Sequence, residues 1–263
     1  MDMQLQGKRA FVSGSTRGIG FAIAEAMLAE GASVVINGRD SGRVDAAVDR
    51  LRELVPGADV SALTADFADA TQVQRMLDRV GHLDVLVNNV GQFDVTPFEA
   101  ISDADWQRYF DVNVMSGVRL SRHVLDAMLA TGWGRIIFIS SESGVNVPAD
   151  MAHYGMTKAA VLALGNSLAK RTRGTEVTVN TILGGPTYSD GVADAVSRIS
   201  QAQGIPVDDL KSAIVAGNRT SLLQRFIDPS EIASLAVYLA SPLASATNGA
   251  AVRADGGVLT SIL

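Results

Sequence analysis

The stretch that decides the fold is "VSGSTRGIGFAIAEAM", residues 12–27. Gly14, Gly18 and Gly20 stand between a short apolar run and a segment with helical spacing. Glycines at such a junction allow a tight strand-to-helix turn, and the helix start then offers free N–H groups and partial positive charge to an anion. Gly14 suits the turn, while Gly18 and Gly20 let backbone approach a pyrophosphate and pack helix against strand. The spacing is G-x-x-x-G-x-G, without the G-K-[ST] ending of a Walker loop. Taken alone, the stretch leaves a dinucleotide site and a purely structural turn both open.

Moving outward, short β-branched runs alternate with amphipathic segments. Runs at 9–14, 33–38, 60–65, 83–89, 135–141 and 176–182 are nearly continuous in apolar residues, as strands covered on both faces are. Between them, 19–30, 43–54, 71–80, 105–130 and 153–173 carry helical periodicity. This predicts an α/β, doubly wound (Rossmann) parallel sheet of about seven strands with helices on both faces, the seventh strand lying near 249–257. No repeat or linker interrupts residues 1–263, so one domain is expected. The stretch 186–220 breaks the rhythm with Gly191, Gly204, Pro206 and Gly217; it reads as a substrate lid or as a peripheral helical hairpin.

Composition narrows the function. The 263 residues are 47% hydrophobic, enough for a large core. A formal charge of −6 argues against nucleic acid, whose phosphates need a basic surface. The absence of cysteine excludes disulfides and thiolate chemistry, and His82, His123 and His153 make no metal motif. No apolar run is long enough to span a bilayer and no leader pattern is present, so a cytoplasmic protein without a membrane partner is expected.

The second strand ends "INGRD", with Gly38 where an NAD site wants a carboxylate for the ribose 2′-OH. Arg39 follows and Arg17 lies in the glycine loop; two guanidiniums suit a 2′-phosphate unless Asp40 pairs with Arg39. NADP(H) is therefore preferred, with NAD(H) possible. Asp66 reads as an adenine acceptor or a helix cap.

Further along, Tyr154 and Lys158 stand one helical turn apart on one face. A phenol with an ordinary pKa of about 10 is a weak proton-transfer group near neutrality, and a nearby ammonium favours the phenolate.

Together these residues resemble the short-chain dehydrogenase/reductase family, in its compact single-domain branch with 3-oxoacyl-carrier-protein-reductase-like members. "SGSTRGIG" is similar to T-G-x-x-x-G-x-G, "NNVG" at 88–91 to N-N-A-G, "DVNV" supplies Asn113, and "YGMTK" matches Y-x-x-x-K with Ser141 upstream. The resemblance implies an oxidoreductase, a carbonyl reductase acting on a small carbonyl or alcohol. Tyr154 is then general acid or base, Ser141 holds the substrate oxygen, Lys158 binds the nicotinamide ribose, and Asn113 positions a relay water. It further implies cofactor contacts from Gly14, Ser15, Arg17, Gly18, Ile19, Gly20, Arg39, Asp66, Phe67, Asn88, Gly91, Tyr154, Lys158 and Thr187, with no metal.

Three readings stand apart from that pattern. Gly184 replaces the family's proline, which predicts a looser backbone beside the nicotinamide. Small residues Ser116, Gly117, Ala160 and Gly165 suit close packing, either between subunits or against the sheet; family members pair through these helices, so a homotetramer is expected. The rivals are a catalytically silent dinucleotide sensor or partner-binding protein on the same fold, and a sugar-nucleotide epimerase, which the chain length and glycine spacing disfavour.

Overall fold

The computed structural model describes residues 1–262, so the expected domain, 1–263, ends one residue beyond them. Strands β1 (Arg9–Val12), β2 (Ser33–Gly38), β3 (Val60–Thr64), β4 (Val85–Asn88), β5 (Trp133–Ser141), β6 (Glu176–Gly184) and β7 (Ala251–Ala254) form one seven-stranded sheet. Its order is β3-β2-β1-β4-β5-β6-β7 and every pairing is parallel. The order reverses direction between β1 and β4, and such a switch point opens a crevice at the carboxyl ends of the strands.

Alternation along β1 shows why these runs are apolar throughout. Ala10 and Val12 face one core, with α1 (Gly18–Ala29), α2 (Ser41–Leu54) and α9 (Pro229–Ala240). Phe11 faces the other, with α3 (Ala70–Val80), α5 (Met115–Thr131) and α6 (Ala152–Arg171). Each side chain is buried on its own side, so no polar face is needed. Among the described residues, no helix is long and apolar enough to cross a membrane.

Three expectations change. The single helix over 105–130 is two: α4 (Asp103–Asn113) and α5 meet at a break on Val114. Beside the break, the Asn113 side chain is tied to both backbone groups of Gln92, through Oδ1 at 2.8 Å and Nδ2 at 3.0 Å. A local tie of this kind disrupts helical continuity where periodicity alone shows none. The backbone at Gly184 is not loose, because β6 pairs through it with Ser141 on one side and Ala254 on the other. The small residues face inward: Ser116 is buried, a Cβ on Gly117 would meet Phe138 at 2.9 Å, and one on Gly165 would meet Thr181 at 2.6 Å. They let α5 and α6 approach the sheet.

The stretch 186–220 contains α7 (Asp190–Gln203) and α8 (Val207–Gly217), which form a hairpin at the rim. Only Val196 of α7 is buried, and none of α8.

Gly20 marks the closest approach of α1 to the sheet. A Cβ there would collide with the Gly14 carbonyl and stand 2.5 Å from Asn89 Nδ2. Gly20→Ala is expected to cost about 1–3 kcal/mol through overpacking. A lowered urea midpoint at unchanged m-value would show it; an unchanged midpoint would mean the loop yields freely.

Candidate active site

The glycine loop is held by hydrogen bonds from both neighbouring strands. Ser13 Oγ donates to the Val87 carbonyl at 3.2 Å and accepts from Asn89 N at 2.9 Å. Asn89 Nδ2 donates to the Ser13 and Gly14 carbonyls, and Asn37 Oδ1 accepts from Gly14 N. Gly14 itself has φ +61°, a left-handed conformation that a side chain resists. Ser13, Asn37 and Asn89 were not among the expected site residues. The paired asparagines of "NNVG" were the available signal. Ser15 is a cofactor candidate whose side chain points inward, donating to the Val12 carbonyl at 2.6 Å and accepting from Asn37 N. Its backbone N–H is also engaged, donating to the Asn37 carbonyl at 2.8 Å.

Arg39 is exposed and makes no ion pair among the described residues, because Asp40 caps α2 by accepting from Arg43 N at 2.9 Å. Asp66 Oδ1 likewise accepts from Ala68 N at 3.0 Å, while Phe67 is buried. Asn88 donates to Ser121 at 3.2 Å and its Oδ1 has no partner. Gly91 lies beside the catalytic candidates, since a Cβ on it would stand 3.3 Å from Lys158 Nζ. Thr187 is buried and donates to the Gly185 carbonyl.

At the carboxyl end of β5, Ser141 Oγ donates to Glu142 Oε2 at 3.2 Å and accepts from Ser143 N at 3.1 Å. Tyr154, in the first turn of α6, lies near enough for the same hydroxyl to favour its phenolate. Lys158 is buried, and its ammonium lies 5.6 Å from the Tyr154 ring centre. It donates at 2.9 Å to the Ile139 carbonyl. Asn113 joins this group through Thr157, donating from Nδ2 at 3.0 Å. Its side chain is thus fully occupied by Gln92 and Thr157. The four expected catalytic residues do come together, from α4, β5 and α6.

Their electrostatics differ from the expectation. Burial pushes the Tyr154 phenol up to about 12; the hydrogen bond with Ser141 opposes this, and the Glu142 carboxylate adds to it. Burial lowers Lys158 to about 8. The ammonium committed to Ile139 does not bring the phenol down toward neutrality in this geometry. Burial also raises Glu142, against its hydrogen bonds with Ser143 and Ser141. His153 is buried against Tyr109 with ring centres 3.8 Å apart.

The rim hairpin meets the glycine loop directly. Asp190 Oδ2 accepts from Gly18 N at 2.6 Å, and Arg17 donates to Asp194 at 2.6 Å. Behind the hairpin a cavity of about 680 Å³ opens beside Tyr188 and Phe226, with Lys211, Arg219 and Arg225 on its wall. Of these, Lys211 and Arg219 belong to the stretch 186–220, while Arg225 lies beyond it and is neutralised by a two-pronged pair with Glu231.

A family model described as short chain dehydrogenase matches residues 8–199. The chain belongs to the short-chain dehydrogenase family. This makes it an oxidoreductase acting on CH–OH groups. It is similar to the uncharacterized oxidoreductase YvrD of Bacillus subtilis, 42% identical over the whole of both chains. D-beta-hydroxybutyrate dehydrogenase of Cupriavidus necator is 34% identical, over 96% of this chain and 98% of its own. L-sorbose reductase from Gluconobacter frateurii, solved with NADPH and L-sorbose, superposes with a TM-score of 0.93 at 31% identity, covering 100% of both chains. The seven-stranded sheet is thus the dehydrogenase fold, and the crevice at its switch point is where such folds bind ligands.

Glu142→Gln removes a negative charge that disfavours the Tyr154 phenolate, so the phenol's titration midpoint is expected to fall from about 12. Alkaline difference spectra of this variant, referenced to Tyr154→Phe, report the shift. A midpoint that stays or rises would show that the Glu142 charge does not act on the phenol.

Proposed function

We propose that this dehydrogenase interconverts a ketone or aldehyde and an alcohol, preferring NADP(H), with Tyr154 as general acid and base. The observation that carries the reading is the convergence of Tyr154 on Ser141, with Lys158 behind them and the glycine loop alongside.

The residues fit a dinucleotide. The start of α1 offers backbone N–H groups to phosphate, and the buried Asn88 Oδ1 and Gln92 Nε2 are polar atoms awaiting partners. At Gly38 a Cβ would stand 2.5 Å from Thr16, so the position has little room for the carboxylate that a ribose 2′-OH would need. Arg39 beside it is free of ion pairs among the described residues and suits a 2′-phosphate, as does Arg17 once released from Asp194. NADP(H) would be held by the glycine loop, these two arginines, Asn88, Gly91, Thr187 and Lys158; NAD(H) remains a weaker alternative. When bound, it supplies or accepts the hydride.

The chain's own residues handle the oxygen and its proton. Ser141 donates to the substrate oxygen after turning from Glu142, and Tyr154 donates alongside it. In reduction the phenol gives its proton to the forming alkoxide; in oxidation the phenolate removes it. Such a phenolate needs the Lys158 ammonium closer to the phenol than to Ile139, so the lysine reorients for catalysis. Asn113 positions this group by tying Gln92 to Thr157, which lies one residue before Lys158. The substrate is a small free carbonyl or alcohol under the lid at 186–220. L-sorbose and hydroxybutyrate, taken from the relatives' names, are the first compounds to try. A homotetramer and a cytoplasmic location complete the reading and rest on the family pattern.

Tyr154→Phe is expected to lower turnover about 10²–10⁴-fold while NADPH still binds. Stopped-flow turnover and nicotinamide fluorescence separate the two effects, and unchanged turnover would remove Tyr154 from the mechanism. Arg39→Ala is expected to weaken NADPH about tenfold and leave NADH unchanged, since a charge-assisted contact is worth about 1.5 kcal/mol or more. Equal effects on both cofactors would overturn the 2′-phosphate role.

A further inference from the structure

Two carboxylates from one face of α7 occupy the groups that the cofactor's phosphates require. Asp190 and Asp194 are four residues apart, one helical turn, so they point the same way. The first accepts from Gly18 N and the second pairs with Arg17, each at 2.6 Å. The contact is continuous, because the nearest atom to a Cβ on Gly18 would be Ser189 Cβ, at 3.3 Å. Asp190 lies in the first turn of α7 and against the first turn of α1, so two helix N-termini favour its charge. Val196 is the one fully buried residue of α7, whose other residues are half-buried or exposed.

We propose that Asp190 and Asp194 form a carboxylate latch that competes with NADP(H), Asp190 with the pyrophosphate and Asp194 with the 2′-phosphate. The inference rests on the NADP(H) reading for Asp194 and on any dinucleotide for Asp190. Cofactor entry then requires α7 to lift from the glycine loop, which couples lid opening to binding. Because Arg17 is neutralised whenever the lid is down, Asp194 also tunes the choice between NADPH and NADH. The apparent affinity equals the intrinsic one scaled by the fraction of molecules with the latch open.

The test is a cofactor titration of the full-length protein by nicotinamide fluorescence, with Asp190→Ala, Asp194→Ala and Arg17→Ala. Exposed pairs are worth little, so the gains are about two- to fivefold. Asp190→Ala is expected to tighten NADPH and NADH alike. Asp194→Ala is expected to tighten NADPH alone, and to have no effect in the Arg17→Ala background. Unchanged or weaker binding in both aspartate variants overturns the latch; weaker binding would mean the carboxylates clamp the lid over bound cofactor. An Arg17→Ala variant that binds NADPH normally overturns the NADP(H) role of Arg17 and the part of the latch assigned to Asp194, while Asp190 is still judged on both cofactors. Limited trypsin digestion without cofactor gives an independent readout. Cleavage within 190–220 is expected to quicken in the Asp190→Ala/Asp194→Ala double variant, and an unchanged rate overturns the latch whatever the cofactor does.

Discussion

The crevice exists because the chain leaves β1 through a turn that both adjacent strands grip. Asn89 donates twice to Ser13 across the β1–β4 junction, and Asn37 reaches over from β2 to accept from Gly14. These bonds satisfy backbone groups that a buried loop would otherwise leave unpaired, an omission costing roughly 1–3 kcal/mol each. They also set the angle at which α1 leaves, with Gly20 pressed against Gly14 and Asn89. Everything that recognises an anion in this molecule depends on that angle, including the α7 carboxylates now resting there.

The catalytic group balances two opposed effects. A site that excludes water strengthens each hydrogen bond to a reacting oxygen, yet it disfavours the charged forms of the groups that do the work. Here burial wins on both sides: Tyr154 is driven up and Lys158 down. The ammonium resolves its own desolvation by bonding the Ile139 carbonyl. A modest swing of a flexible four-carbon side chain separates this arrangement from one that favours a phenolate. Catalytic competence is thus a matter of side-chain placement on a rigid frame. α6 is fastened to β5 by the bond from Ser140 to the Lys158 carbonyl, so the frame need not move.

Much of this was legible in the residues. Near-continuous apolar runs marked β1 to β6, because a strand covered on both faces has no polar side to hide its signal; β7, partly exposed at the sheet's edge, was expected only as a closing strand near 249–257. The glycine loop and the Tyr154–Lys158 pair were marked by spacing, Asn113 and Ser141 by the family resemblance, and the fold brings these four side chains together. The break at Val114 was invisible because apolar periodicity continues across it. The inward role of Ser116, Gly117 and Gly165 was equally hidden, since a small side chain signals close approach without naming what approaches.

What the sequence alone determined was local: the elements, their parallel arrangement, the glycine turn after β1 and the placing of Tyr154 and Lys158 one turn apart on α6. Those features follow from periodicity and short spacing. Tertiary structure alone decided which charges meet. Gly18 and Asp190 are 172 positions apart, and Arg17 and Asp194 are 177 apart. It likewise decided that Lys158 bonds Ile139, because the sheet's register rather than helical spacing sets which carbonyl the ammonium can reach. Electrostatic pairing depends on distance and burial in three dimensions, and neither is written in the order of residues.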